Sequence, residues 1–86
     1  MERIDIRIRI GLRIKQLRAS ASMSQDKLAY GINMSRSYLA EVETGKRNLS
    51  AVNLERICDG LGVSMAQFFS CDLFESSSHA SSPTEV

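Results

Sequence analysis

The sequence predicts an all-α protein with a single small core, and three observations carry that prediction. Apolar residues recur at helical spacing in successive short stretches. A capping side chain, usually serine, stands ahead of most of them, and Asn33, Gly45 and Gly62 stand just after three. A chain of 86 residues has room for one core and not for a second domain that would close an active site.

The elements follow in order. Residues 1–10 alternate isoleucine with charged residues, the period-two signal of a half-buried strand. A helical pattern overlaps it, because Ile10, Ile14 and Leu17 recur at i, i+4 and i+7 on one face. The reading is a short N-terminal arm within residues 1–9, running into a first helix from about Arg7 or Ile8 to Ala19. Ser24 caps a second helix, Gln25 to Ile32, where Asp26 favours the positive end of the dipole and Leu28, Ala29 and Ile32 face inward. Asn33 tolerates the left-handed conformation that ends a helix.

Ser35 caps a third helix reaching Glu43, with Leu39 and Val42 as its apolar pair and Gly45 as its stop. Lys46-Arg47-Asn48-Leu49 is a basic loop. Ser50 caps a fourth helix with Leu54, Ile57, Cys58 and Leu61 inward and Gly62 at its end. Ser64-Met-Ala-Gln67 matches a capping box and opens a fifth helix carrying Phe68 and Phe69. The domain is expected over residues 10–74. Residues 75–86, Ser/Thr-rich with almost nothing to bury, are expected to be a disordered tail.

Charge is distributed unevenly beneath a net value of +1. Residues 1–48 hold ten of the eleven Lys/Arg against five acids, which leaves +5. Residues 49–86 hold Arg56 against five acids, which leaves −4. A basic front half suits an anionic partner, and an acidic back half suits something else. Cys58 and Cys71, with twelve residues between them, have neither zinc-site spacing nor a disulfide framework. Cys58 is expected in the core and Cys71 as a free thiol, as in a reducing cytoplasm. Met23, Met34 and Met65 are expected as core or cap packing. The chain has no apolar run of the ~18 residues needed to span a bilayer and no secretory signal, so a soluble cytoplasmic protein is expected.

Catalysis is the least supported function. His79 stands alone in the tail, and the sequence has no Cys–His pair and no Gly-rich phosphate loop. No cofactor and no metal are expected.

The second and third helices, joined by a short turn, make a helix-turn-helix unit whose second helix can lie in the major groove of DNA. Advancing about 100° per residue with Leu39 and Val42 inward turns Ser37, Ala40, Glu41 and Thr44 outward, with Ser35 and Arg36 in the first turn. Arg36 can fork onto guanine O6 and N7, Ser37 can bond either base type, and Ala40 can meet a thymine methyl. Glu41 can accept from cytosine N4, exclude wrong sequences, or orient Arg36. Gln25, opening the second helix, is expected at a phosphate through its side chain and backbone N–H. Lys46, Arg47 and Asn48 would follow the same backbone. Tyr38 has two readings, a hydroxyl on phosphate or a ring covering the hairpin.

The stretch from Ile10 to Phe69 resembles the phage repressor and Cro type of helix-turn-helix domain, the XRE family. The residues that carry the resemblance are Gly11-Leu-Arg-Ile-Lys-Gln-Leu-Arg18, Ser24-Gln-Asp-Lys-Leu-Ala29, Met34-Ser-Arg-Ser-Tyr-Leu39, Glu43-Thr-Gly-Lys-Arg-Asn48 and Leu61-Gly-Val-Ser64. The resemblance implies a five-helix, repressor-like domain that binds duplex DNA and represses or activates nearby promoters. It implies phosphate contacts for the loop Lys46–Asn48, and an ion pair between Arg18 and Glu43. Asn33 replaces the usual Gly of the turn, and Leu49 a frequent Pro.

Phe68, Phe69, Leu73 and Phe74 exceed what so small a core must enclose, so an apolar dimerisation patch is expected there. A two-fold homodimer would set its recognition helices ~34 Å apart on a palindromic operator. The alternative is an antitoxin-like or protein-interaction module on the same fold, favoured by the near-neutral charge and the acidic back half. Among regulators, a stand-alone controller of the restriction-modification or phage kind fits so short a chain.

Overall fold

The computed structural model describes residues 4–75. Its regular elements are α1 (Ile6–Ser20), α2 (Gln25–Gly31), α3 (Arg36–Glu43), α4 (Ala51–Leu61) and α5 (Met65–Phe69), followed by a 3-10 turn at Asp72–Phe74. The all-α, five-helix architecture is the expected one. The disordered tail and His79 of the sequence reading lie, apart from Glu75, outside the described residues.

Each helix starts where a side chain accepts from the exposed N–H groups of its first turn. Ser24 accepts from Lys27 N at 3.0 Å, Ser35 from Tyr38 N at 3.2 Å, and Ser50 from Asn53 N at 3.1 Å. At α5 the box is reciprocal: Gln67 N donates to Ser64 Oγ at 3.0 Å and Ser64 N to Gln67 Oε1 at 2.8 Å. Each such cap is worth ~1 kcal/mol, enough to fix the start of a helix this short. The stops are local as well: Asn33 sits at φ 55° and Gly45 at φ 79°, conformations that Asn and Gly reach at least cost.

The N-terminal alternation of Ile and charge makes no strand. Asp5 accepts from Arg7 N at 2.8 Å and starts α1 at Ile6, so the arm is shorter than expected. With no strand among the described residues to pair with, helical backbone bonds win, and Ile4, Ile6 and Ile8 are left on the surface while Ile10 packs against the core. Ile6 and Ile8 are 44% and 42% exposed.

One core lies between the helices, built from Ile14, Leu28, Leu39, Val42, Ile57 and Phe68 together with Ala29, Leu54, Cys58 and Leu61. Cys58 is buried in it as a free thiol, and burial pushes that thiol up from its ordinary range. Met23, Met34 and Met65 pack against its rim. α1 approaches the end of α3 so closely that a Cβ on Gly11 would lie 2.4 Å from Glu43 O. No other residue fits there without moving backbone.

The C-terminal aromatics correct one expectation. Phe68 is fully buried and therefore belongs to the core, not to a dimerisation patch. Phe69 and Phe74 turn toward it and each other, with ring centroids 5.0 Å (Phe68–Phe69) and 4.7 Å (Phe69–Phe74) apart. Arg13 of α1 caps the end of α5, donating to Phe68 O at 2.7 Å and Gln67 O at 2.8 Å. Arg9 donates to Leu73 O at 3.3 Å and lies over the Phe74 ring. The core is larger than the count of apolar residues suggested, because Phe68 fills it and Phe69 and Phe74 pack against it. Phe69, Leu73 and Phe74 remain half-buried.

Candidate nucleic-acid interface

α2 and α3 stand on opposite sides of the turn Ile32–Met34, and the turn is clamped from below. Arg56 of α4 donates to the carbonyls of Ile32 and Asn33, the latter at 3.0 Å. Those carbonyls end α2 and have no partner in the helix itself, so a guanidinium there both satisfies and aligns them. Arg56 also donates to Asn53 Oδ1 at 3.1 Å, and Asn53 Nδ2 donates to the Tyr38 hydroxyl at 3.2 Å. The turn and the middle of α3 are thus held to α4 by one polar chain.

A second fastening holds the far end of α3. Glu43 is enclosed, its side chain without solvent exposure, while that of Arg18 is 17% exposed. Arg18 grips both carboxylate oxygens, through Nε to Oε2 at 2.7 Å and Nη2 to Oε1 at 2.8 Å. Its Nη1 donates to Met23 O at 2.8 Å, and Gln25 Nε2 donates to Glu43 Oε1 at 2.8 Å. A buried carboxylate with three donors on it is fully compensated, and the same contact raises the Arg18 pKa. Gln25 therefore differs from expectation. Its amide is half-buried and bonded inward to Glu43, so it reaches a phosphate only with what that bond leaves over.

With both ends fixed, α3 buries Leu39, Val42 and Glu43 and leaves Ser35, Arg36, Ser37, Glu41 and Thr44 exposed, Ala40 and Tyr38 being partly covered. Lys46, Arg47 and Asn48 continue that surface, all exposed. The outward set read from the helical period is brought onto one face. Its internal pairing is different from the sequence reading. Arg36 pairs with Asp26, the pair being 68% and 72% exposed. Glu41 does not orient Arg36 and instead pairs with Arg47 at 2.9 Å. The reason is the loop after Gly45, which folds back over α3 and sets the Arg47 guanidinium 4.8 Å from the centre of the Tyr38 ring. Tyr38 is accordingly a platform for Arg47 with its hydroxyl on Asn53. Thr44 Oγ1 donates back to Glu41 O at 3.0 Å, leaving only its lone pairs outward.

Sequence reasoning missed Asp26, Asn53 and Arg56. Arg56 carried a signal, as the one basic residue after position 48. Asp26 and Asn53 carried none, because their partners meet them only across the tertiary fold. No group of three or more metal-ligating side chains comes together among the described residues. None of the described helices is long and apolar enough to cross a membrane.

A short two-helix hairpin with an exposed polar, basic face, clamped onto a core of three further helices, defines a helix-turn-helix domain. The family model described as Helix-turn-helix matches residues 14–68, and the chain belongs to that family, in the XRE type that the sequence resembles. It is 45% identical over 67 residues to the control protein C.MunI of Mycoplasma, covering 77% of this chain and 90% of that one. It is 43% identical over 60 residues to the control protein C.BamHI of Bacillus amyloliquefaciens, covering 69% and 74%. Among solved structures, the restriction-modification controller protein C.Esp1396I, a tetramer in complex with its natural 35 base-pair operator, superposes with a TM-score of 0.73 at 36% identity, covering 77% of this chain and 87% of that one.

Proposed function

We propose that this protein is a DNA-binding transcription regulator of the controller kind, which binds operator DNA as a homodimer with α3 in the major groove. The observation that carries the reading is the face of α3. Arg36, Ser37 and Glu41 point outward on a helix whose opposite side is locked into the core, and the basic loop Lys46–Asn48 continues the same surface. The family is one of DNA-binding regulators and not of enzymes, and the chain works by binding, in the cytoplasm.

Within this reading the residues divide by what they touch. Arg36 presents its fork to guanine, Ser37 and Ala40 contact neighbouring base edges, and Lys46, Arg47 and Asn48 lie along phosphates. Ser35 and Thr44 flank the reading face, and Gln25 and Tyr38 support it. Glu41 holds Arg47 and disfavours sequences that present a base acceptor to its carboxylate. The dimer forms through the C-terminal surface, where Phe69, Leu73 and Phe74 remain partly uncovered, and it reads two half-sites ~34 Å apart.

Mobility-shift titrations with genomic fragments at moderate salt test the function. A small set of fragments should be retarded in the presence of excess unrelated duplex, and equal retardation of all fragments would contradict sequence-specific binding. Sedimentation at micromolar concentration should give about twice the monomer mass, and a persistent monomer would overturn the homodimer.

A further inference from the structure

We infer that Asp26 is a specificity-determining positioning residue, which holds Arg36 ready for a guanine and keeps the same arginine from serving phosphates in general. The inference deepens the reading of Arg36 given above and rests on it. Asp26 lies in the first turn of α2 and Arg36 opens α3, so the fold brings a carboxylate at one helix start into contact with a guanidinium at the other. The closest approach is through Arg36 Nε and Asp26 Oδ1. The contact is an ion pair and not a directed hydrogen bond, so the Nη end of the planar fork stays available for a base, and two N–H groups there match the O6 and N7 acceptors of guanine.

Three consequences follow from the chemistry of this contact. An arginine on a flexible stem loses rotamer freedom when it docks, and one already held in place loses less. A guanine edge carries no net charge, so it can take the Nη groups while the Asp26 carboxylate stays beside the guanidinium. A phosphate brings a full negative charge beside the Asp26 carboxylate, so a non-specific contact by Arg36 is opposed by repulsion or requires the pair to break. Asp26 therefore favours the specific complex and disfavours the non-specific one. Both side chains are more than two-thirds exposed. An exposed pair of that kind represents a factor of ~2–5 and not orders of magnitude.

No other contact on the reading face has this form. The Glu41–Arg47 pair involves an arginine that also rests on Tyr38, and the Arg18–Glu43 pair is enclosed. Among the described residues, Asp26 alone forms an ion pair with the arginine that opens the recognition helix.

The test is a set of binding titrations by fluorescence anisotropy on the full chain, with Asp26→Asn, Asp26→Glu, Arg36→Ala and the Asp26→Asn/Arg36→Ala double variant. The probes are the duplex that the wild-type protein selects from a randomised library and a scrambled duplex of equal length. Thermal melting of each variant separates binding changes from a weakened α2. Asp26→Asn should weaken the selected duplex ~2- to 5-fold per half-site, leave the scrambled duplex equally or more tightly bound, and so lower the ratio of the two. Asp26→Glu should recover most of the ratio. On the Arg36→Ala background, Asp26→Asn should cause no further loss on the selected duplex, because the arginine through which it acts is gone. Equal changes on both duplexes, or a loss that persists without Arg36, would overturn the inference and leave Asp26 as a charge or a helix cap. If Arg36→Ala itself leaves the base preference intact, the reading of Arg36 fails first. If Arg36→Ala relaxes the preference while Asp26→Asn leaves the ratio unchanged, only the role of Asp26 fails.

Discussion

The arginines on the inner side of the helix-turn-helix and those on its outer side differ in what holds them. Inside, Arg18 grips an enclosed carboxylate, Arg13 caps α5, and Arg56 clamps the carbonyls that end α2. Outside, Arg36 and Arg47 meet only exposed carboxylates and, for Arg47, an aromatic face. Such bonds make an arginine part of the scaffold, since withdrawing it strands a buried charge at Glu43 or unpaired carbonyls at a helix end. Pairing at the surface costs little to undo, so the outer arginines remain free to change partners when DNA arrives.

The largest expected effect lies on the inner side. Arg18→Met leaves the carboxylate of Glu43 enclosed with only Gln25 for a partner, and should cost ~3–5 kcal/mol in denaturant unfolding. Glu43→Gln removes the charge but keeps an acceptor for Arg18, which is itself partly solvated, so its loss should be smaller, ~1–3 kcal/mol. The double variant should lose less than the sum of the two. Purely additive losses would show that the pair is not coupled, and the contrast between the two sides would then collapse.

Arg56→Ala is the next test. It leaves the carbonyls at the end of α2 unclamped and unties Asn53 from the turn, at a cost of ~1–3 kcal/mol for hydrogen bonds from a charged donor. DNA binding should weaken together with stability, because the angle between α2 and α3 is set there. A variant of unchanged melting temperature would show that the turn holds itself, through Asn33 alone.

The smallest effect concerns the N-terminus of α1. Contact with Arg7, by side chain and by backbone N–H, lowers the Asp5 carboxyl from 3.8 to about 2. A folded-state value below the unfolded one stabilises the first turn above pH ~4, and this is lost as the pH falls through about 2. Helical circular dichroism of the wild type should therefore decline over that window more than that of Asp5→Asn, whose amide still caps but does not titrate. Matching acid profiles would remove Asp5 from the account.

Local signals made the helices legible in advance. Serine caps, the capping box at Ser64, left-handed stops at Asn33 and Gly45 and the inward period of α3 are all decided within a few residues of chain, and sequence shows them directly. The outward face of α3 followed from the same period. What sequence reasoning misread was decided between elements. The Ile–charge alternation of the N-terminus carries both periods at once, and it is helical because no strand among the described residues lies beside it, the Asp5 cap then fixing where the helix starts. Phe68 was counted as surplus because the cluster that encloses it draws on α1, α2, α3 and α4, a tertiary effect. The partners of Arg36 and Arg47 depend on how α2 and the basic loop fold against α3, which spacing along the chain does not specify.

The central claim, that α3 reads base pairs while the following loop follows phosphates, is tested most directly by competition binding on a randomised-site library at several salt concentrations, comparing Arg36→Ala with Lys46→Ala. Arg36→Ala should cost ~1–3 kcal/mol on the preferred site and relax preference at one base pair per half-site, with a much smaller loss on unrelated duplex. Lys46→Ala should weaken all sequences about equally and lower the salt slope by ~1 per half-site. A library in which Lys46→Ala changes the preferred sequence while Arg36→Ala leaves it intact would contradict the assignment of α3 as the reading helix.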